Sequence, residues 1–325
     1  MSRMLYGLAL LVACAAWGCG EPAKKAPTVA APIPKPDKPL RFIFISPVRD
    51  EQFFDPVKKG MQDAARMMGV EAVFTGTTGV DVQAQAAMVT KAVADGYDGI
   101  AVDLIDTVAF DEAVKAAHEK GVPVVGFNTD DMTANERLSC VSQNLFKAGR
   151  VLGQKAAEAM PEGSQVLVTL HDEGISALED RFRGLTGELK KKNITWKRVI
   201  TGPDPVKARE AILQALKDSP DVKVILGTGQ ADTEGAGLAL EKAYKGKGYW
   251  SAGFDLSLAI LRLIQADFIR FTIDQQPYMQ GFYPVVQLTL FCRYGIRPAN
   301  IDAGAWVIAK EDAETAVELK RRNYR

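Results

Sequence analysis

The sequence predicts an α/β protein of two doubly wound parallel-sheet lobes. From Leu40 onward, short apolar runs of strand character alternate with segments of helical periodicity. That pattern belongs to a parallel sheet covered by helices on both faces. The alternation runs once through residues 40–142 and restarts at Asn144, giving two similar blocks in series. Gly69, Gly96 and Gly121 close successive helical segments of the first block, where a C-cap takes a left-handed residue.

In the first block, strand 42–46 leads to a helix over 55–68, and strand 71–75 to a helix over 82–94. Strand 99–104 leads to a helix over 108–120, followed by strands 123–128 and 138–142. The second block reads helix 145–160, strand 165–171, helix 176–192, strand 195–200 and helix 205–218. It continues with strand 222–226, helix 231–244, strand 249–253 and helix 256–266. The end departs from a simple tandem: strand 270–274, helix 277–294, a short strand 305–308 and a charged tail.

Composition narrows the function. The chain has 325 residues, 47% hydrophobic and 25% charged, with 40 basic residues against 40 acidic. That length suits two domains with full cores. The balance lacks the basic excess of a nucleic-acid surface. Four cysteines (14, 19, 140 and 292) and two histidines, His118 and His171, form no metal-ligand spacing. Cys140 and Cys292 either pair in an oxidising compartment or remain buried thiols.

The N-terminus reads as an export segment. Arg3 supplies a positive start, residues 4–16 an apolar run, and Trp17-Gly18-Cys19 a processing site. The run is too short for a spanning helix, which needs about 20 residues. Cys19 after Ala-Trp-Gly resembles the bacterial lipobox, in which that cysteine is lipidated, although Ala16 and Trp17 depart from the preferred residues. Cys14 is the alternative processing site, and an ordinary cleaved signal the other reading; either still implies export. Residues 1–19 are therefore expected to be a lipoprotein signal peptide. Residues 20–39, with prolines at 22, 27, 32, 34, 36 and 39, are expected to be a tether. Extended at about 3.1 Å per residue, it spans roughly 60 Å from a membrane anchor.

Ligands of open parallel sheets bind beyond the carboxyl ends of the strands. Several residues with the chemistry of a polyol site fall there. Such a site needs flat apolar faces for the C–H side of a ring and charged planar groups for paired hydroxyls. The first strand ends at Ser46-Pro47, and a polar loop leads to Phe53-Phe54, either a ligand lid or two core rings. Asn128-Thr129-Asp130 follows a later strand, Arg181 lies in ISALEDRFRG, Phe254-Asp255 in AGFDLS, and Gln275 in TIDQQP. These segments resemble periplasmic sugar-binding proteins of the ribose-binding type, the type I periplasmic binding proteins, over everything beyond the tether.

The resemblance implies two lobes joined by a three-crossing hinge, with lobe one at 40–142 plus 276–305 and lobe two at 143–275 plus 306–325. It implies that Ser46 and the Phe53-Phe54 pair wall one side of a sugar site. It makes Arg181 the sugar-clasping arginine, Asp255 an acceptor from sugar hydroxyls, Gln275 a late-hinge glutamine and Asn144 a lobe-junction asparagine. Structural alternatives remain: Asp255 as a helix N-cap, Arg181 as a solvated helix residue, Gln275 as a linker amide. The ribose binders carry Asp-Arg where Asn128 and Thr129 stand, and an asparagine where Gly229 stands, leaving Gln230 or Asp232 to serve. Those departures point away from ribose itself, and the charged first loop (Arg49, Asp50, Glu51) leaves a larger or partly charged ligand open.

Enzyme signatures are missing: no GxxxxGK[ST] loop, no HExxH, and Ser176 lacks the second glycine of a nucleophile elbow. The carboxylate pairs Asp103 with Asp106, Asp130-Asp131 and Asp172-Glu173 suit hydroxyl acceptors or helix caps better than acid/base catalysis. The expectation is a non-enzymatic, cofactor-free lipoprotein on the periplasmic or outer face of a membrane. It binds a simple sugar or polyol by hinged closure and delivers it to an ABC permease. The alternative is a sensory receptor component for chemotaxis or a kinase. A sugar-responsive transcription regulator would need a DNA-binding module where the lipobox and tether stand.

Overall fold

The computed structural model describes residues 38–325 apart from 131, 132 and 134. The expected signal segment, Cys19 and nearly all of the expected tether lie outside the described residues, as does Asp131. The first lobe is built from β1 (Arg41–Ser46), α1 (Asp55–Met68), β2 (Glu71–Gly76), α2 (Val82–Ala94), β3 (Gly99–Val102), α3 (Asp111–Glu119), β4 (Val124–Asn128) and β5 (Ser139–Ser142). The second contains α4 (Leu145–Glu158), β6 (Gln165–Leu170), α5 (Ser176–Lys190), β7 (Thr195–Ile200), α6 (Pro205–Lys217), β8 (Val224–Gly227), α7 (Gln230–Ala243), β9 (Trp250–Phe254), α8 (Leu258–Gln265) and β10 (Ile269–Asp274). The chain ends with α9 (Pro277–Tyr294), β11 (Ile301–Asp302), β12 (Trp306–Ala309) and α10 (Ala313–Arg321).

Strand alternation explains why β1 is apolar throughout. Phe42 and Phe44 point into the layer beneath α1 and α9, among Val57, Met61 and Leu288. Ile43 and Ile45 point the other way, toward α2 and α3 with Val89 and Val114. Successive side chains of a strand face opposite sides, so a two-faced strand must be apolar at every position. Each such fully buried side chain stabilises by about 1.5–3 kcal/mol. In the second lobe, Val166 and Val168 face α4 and α5, while Leu167 and Ile225 face α6 and α7.

The sheets run β11-β5-β4-β3-β1-β2 and β12-β10-β9-β8-β6-β7. All pairs are parallel except β10 with β12. In each sheet the chain starts in the middle, pairs outward once, then returns on the other side. The switch points lie between β1 and β3 and between β6 and β8, where the following loops part and open a crevice.

Three connections pass between the sheets: 143–144, 275–276 and 303–305. Side-chain amides tie them together, Gln143 donating to Gly304 O at 2.8 Å and Gln276 to Ala303 O at 2.7 Å. The α9 helix returns to the first lobe and lies against α1 at Gly60 and Gly281. A Cβ on either glycine would collide with the Tyr278 or Val57 carbonyl.

Two details differ from the sequence reading, and one alternative it left open is resolved. The expected charged tail contains α10, whose Ala313 and Ala316 pack beside Leu261 and Ile264 of α8. Cys140 and Cys292 are free thiols, the first buried beside Gly126 and the second facing Asp98 O at 3.4 Å. The helix expected from 108 begins at Asp111, because Asp106 accepts from the Val108 and Ala109 amides in a turn.

Candidate functional site

Residues beyond the strand ends of both lobes meet at one cavity. Phe53 approaches it from the first lobe, Gln230, Asp255 and Leu256 from the second, and Asp274, Gln275 and Pro277 from the second connection. Lys320 and Arg325 complete the lining from the C-terminal segment. The cavity measures about 10 Å³, far below the 300–1,000 Å³ of ordinary ligand pockets. A space of that size is too small for a sugar.

Arg181 dominates the second-lobe wall. It lies on α5 and is only 4% exposed. Its Nη1 donates to Thr228 O at 3.0 Å and its Nη2 to Gln143 Oε1 at 2.9 Å. Nη1 is also 3.8 Å from Asp255 Oδ2. The guanidinium stacks on Phe254, 4.1 Å from the ring centre, a cation–π contact strengthened by burial. Burial lowers its pKa, while Asp255 and Asp232 oppose that shift. Its Nε is buried without a partner. Asp255 takes a left-handed backbone with φ 68° and accepts from Gln275 Nε2 at 2.5 Å. Gln280 holds that glutamine through its carbonyl and side-chain oxygen at 2.8 and 3.2 Å.

The first-lobe wall is organised by Asp103, fully buried after β3. It accepts from Asn128 Nδ2 at 2.7 Å and from the Thr129 amide at 3.1 Å. Burial pushes its carboxyl up to about 7 against those hydrogen bonds. Glu51, in the loop after β1, is held above the ordinary range first by lost solvation and then by the charge of Asp255.

The predicted residues therefore divide. Phe53, Gln230, Asp255 and Gln275 share the cavity, with Arg181 against Asp255 and Phe254 stacked on Arg181. Phe54 is a core residue, 2% exposed and packed on Phe74 and Phe127, so the pair splits into one cleft ring and one core ring. Ser46 is buried and donates to Thr75 O at 3.2 Å. Asp232 is also committed internally: it accepts from the Thr228 amide at 2.7 Å, the Gly229 amide at 2.9 Å and Thr169 Oγ1 at 3.0 Å. Asn128 and Thr129 are held on Asp103, as above. Asp130 and Asn144 line a different cavity, of about 200 Å³, beside Ser142, Phe146 and Asp302. There Asp130 pairs with Arg137 at 2.8 Å, and Asn144 caps α4 by accepting from the Lys147 amide.

Gln143, Lys320 and Arg325 were not among the predicted residues. A glutamine between strand and helix, or cations in a charged tail, carry no local signal of a site. Asp103 was legible only as a carboxylate at a strand end. Among the described residues, no cluster of three or more His, Cys, Asp or Glu could hold a metal ion.

Two sheets of this topology, bridged three times and closing on a polar cleft, define a two-lobed binding protein. The chain belongs to the periplasmic binding protein domain family, which it matches over residues 42–292. It is 29% identical over 296 residues to the xylose/arabinose-binding protein XylF of Sulfolobus acidocaldarius, covering 86% of this chain and 73% of that one. Among solved structures it is similar to a carbohydrate transporter from Acidothermus cellulolyticus in complex with myo-inositol. That likeness has 26% identity and a TM-score of 0.77, over 89% of this chain and 100% of that one. GanP, a glucose-galactose binding protein from Geobacillus stearothermophilus, shares the fold at 24% identity and TM-score 0.77, over 85% and 99% of the two chains.

Proposed function

We propose that this protein is an extracytoplasmic solute-binding protein that captures a neutral sugar or related polyol between its lobes and delivers it to an ABC importer. The observation that carries this reading is Arg181 stacked on Phe254 beside Asp255, with its Nε unpartnered, across the cleft from Phe53. A guanidinium that donates, a carboxylate that accepts and an aromatic face are the three groups a sugar ring requires. The xylose/arabinose-binding relative and the myo-inositol complex support the ligand class. Asn128 and Thr129, held on Asp103, support a ligand other than ribose. The lobes are assigned as 40–142 plus 276–305 and 143–275 plus 306–325, and the protein binds without turnover.

Closure is the working stroke: a ligand touching both lobes favours the shut state. A thermal-shift panel of pentoses, hexoses, inositols and nucleosides tests the reading. At a hundred times its Kd a ligand stabilises by about 2.7 kcal/mol, a rise of roughly 5–10 °C for a chain of this size. No shift with any sugar or inositol would overturn it.

Anchoring is the second part of the proposal. Cys19 is the lipidated residue, and 20–39 the tether that carries the lobes off the membrane. The Cys19→Ser variant should leave the membrane fraction for the soluble one. Unchanged fractionation, with no lipid mass on the mature N-terminus, would show the anchor to be misassigned.

A further inference from the structure

The switch point of the second sheet lies between β6 and β8. The residues just beyond those strands are His171, after Leu170, and Thr228-Gly229, after Gly227. Loops part at that end of the sheet, and His171 lies close enough to Asp255 and Arg181 for their charges to act on it. Gly229 has φ −144° and ψ −176°, extended backbone that any residue adopts. Its conformation does not call for glycine, but its neighbour does. A Cβ at 229 would lie 2.8 Å from His171 Nδ1 and 3.2 Å from its Cε1. The imidazole fills the space a side chain at 229 would need.

The ring is also under-bonded. His171 Nδ1 is buried with no hydrogen-bond partner, 3.9 Å from Asp232 Oδ1. Buried polar atoms are almost always satisfied, and exceptions need a reason. Among the described residues, the orphaned buried atoms include His171 Nδ1, Arg181 Nε and Gln280 Oε1. Arg181 and Gln280 both bear on Asp255 and Gln275. Of the six such atoms among the described residues, those of Arg181, Gln280 and His171 belong to side chains grouped about Asp255 and Gln275, where a ligand can complete the bonding; those of Gln85, Asp111 and Arg293 do not.

We propose that His171 is a specificity-determining ligand contact, its imidazole standing in for a side chain at 229 and hydrogen-bonding one hydroxyl of the sugar. This rests on the reading of the cleft as a sugar site. Loss of solvation lowers the pKa of His171, although Asp255 and Asp172 pull the other way, so the ring is neutral near pH 7. A neutral imidazole has one donor and one acceptor nitrogen. Nδ1, buried without a partner, is the nitrogen left to a ligand hydroxyl, which it can meet as acceptor. Arg181 can only donate, so the pair matches a hydroxyl in each role. Asp255 and Asp172 act on the ring with negative charge and Arg181 with positive, a balance that suits an uncharged hydroxyl at that position.

The test is calorimetric titration of the parent, His171→Ala, His171→Gln and Arg181→Ala with xylose, arabinose, glucose, galactose and myo-inositol. Deoxy analogues of whichever sugar binds tightest complete the set, and apo melts run beside them. The alanine variant should bind that sugar about tenfold more weakly, and glutamine, which keeps a donor and an acceptor, should recover most of the loss. One deoxy analogue should bind the parent weakly yet bind parent and His171→Ala alike. Parent-like affinities for both His171 variants, with Arg181→Ala impaired, would overturn this assignment and leave the sugar site standing. An equal loss on every ligand, deoxy analogues included, would make His171 structural and overturn it as well. A parent that binds none of the sugars would sink both readings. If the alanine variant does not fold, His171→Gln and the deoxy series on the parent carry the same decision.

Discussion

Arg181→Ala is expected to weaken sugar binding by about a hundredfold and to lower the apo melting temperature by several degrees. Hydrogen bonds to a charged group contribute about 1.5–3 kcal/mol each, and about 1.4 kcal/mol is tenfold in affinity. The free Nε offers one such bond without disturbing the others, and Nη1, which donates one hydrogen to Thr228 O, has a second to offer. The stability loss has separate causes. Truncation leaves Thr228 O and Gln143 Oε1 without their donor and removes the cation from the Phe254 face. Gln143 also links the first connection to the third, so its release loosens the hinge. Arg181→Lys keeps the charge but not the fork, and should restore stability better than affinity. Calorimetric titration beside thermal melts separates the two effects. Parent-like affinity in the alanine variant would mean that the ligand does not touch this arginine.

The fold was legible because its signals are local and repeated. The apolar run of β1 has to be buried on both faces, and Gly69, Gly96 and Gly121 end their segments with φ of 62°, 74° and 75°. α10 escaped because Ala313 and Ala316 are small, and a helix of nine residues shows its apolar stripe only once. The site was legible by residue type more than by place. Asp232 and Asp255 both follow strands of the second sheet, yet one is spent on its own loop and the other meets Arg181 across the rim. Sequence spacing does not distinguish them, because the difference lies in where backbone amides point. Phe53 and Phe54 split for a related reason: adjacent residues of a 3₁₀ turn diverge by about 120°, so one ring enters the core and its neighbour the cleft. His171 was visible only as an isolated histidine. Its position depends on Gly229, 58 residues away in sequence and adjacent only once the sheet forms.

Apo protein should melt at a lower temperature at pH 8 than at pH 6, by about 4–8 °C. Asp103 in the first lobe and Asp232 in the second are fully buried, and burial pushes both carboxyls up to about 7. In the unfolded chain an aspartate titrates near 3.9. Between these values the folded state binds protons that the unfolded state does not, so stability falls as pH rises through 7. From pH 6 to 8 each group loses about 1.4 kcal/mol. Asp274, raised by burial, and Glu51, raised by lost solvation and the charge of Asp255, act in the same direction. Carboxylates with lowered pKa, such as Asp63 and Glu188, are ionised in both states throughout this window and contribute no slope. His171 opposes the trend, since its lowered pKa makes the unfolded state the better base near pH 6. That offset is at most about 0.8 kcal/mol, leaving a net loss of about 2 kcal/mol, and each kcal/mol moves the midpoint by about 2–4 °C at this size. Melts in buffers of matched ionic strength check the direction, and carboxyl-carbon NMR titration checks the source. Two aspartates should titrate near pH 7, their resonances lost in Asp103 and Asp232 variants. A midpoint that holds steady or rises from pH 6 to 8 would mean that both buried carboxyls stay ionised in the folded protein.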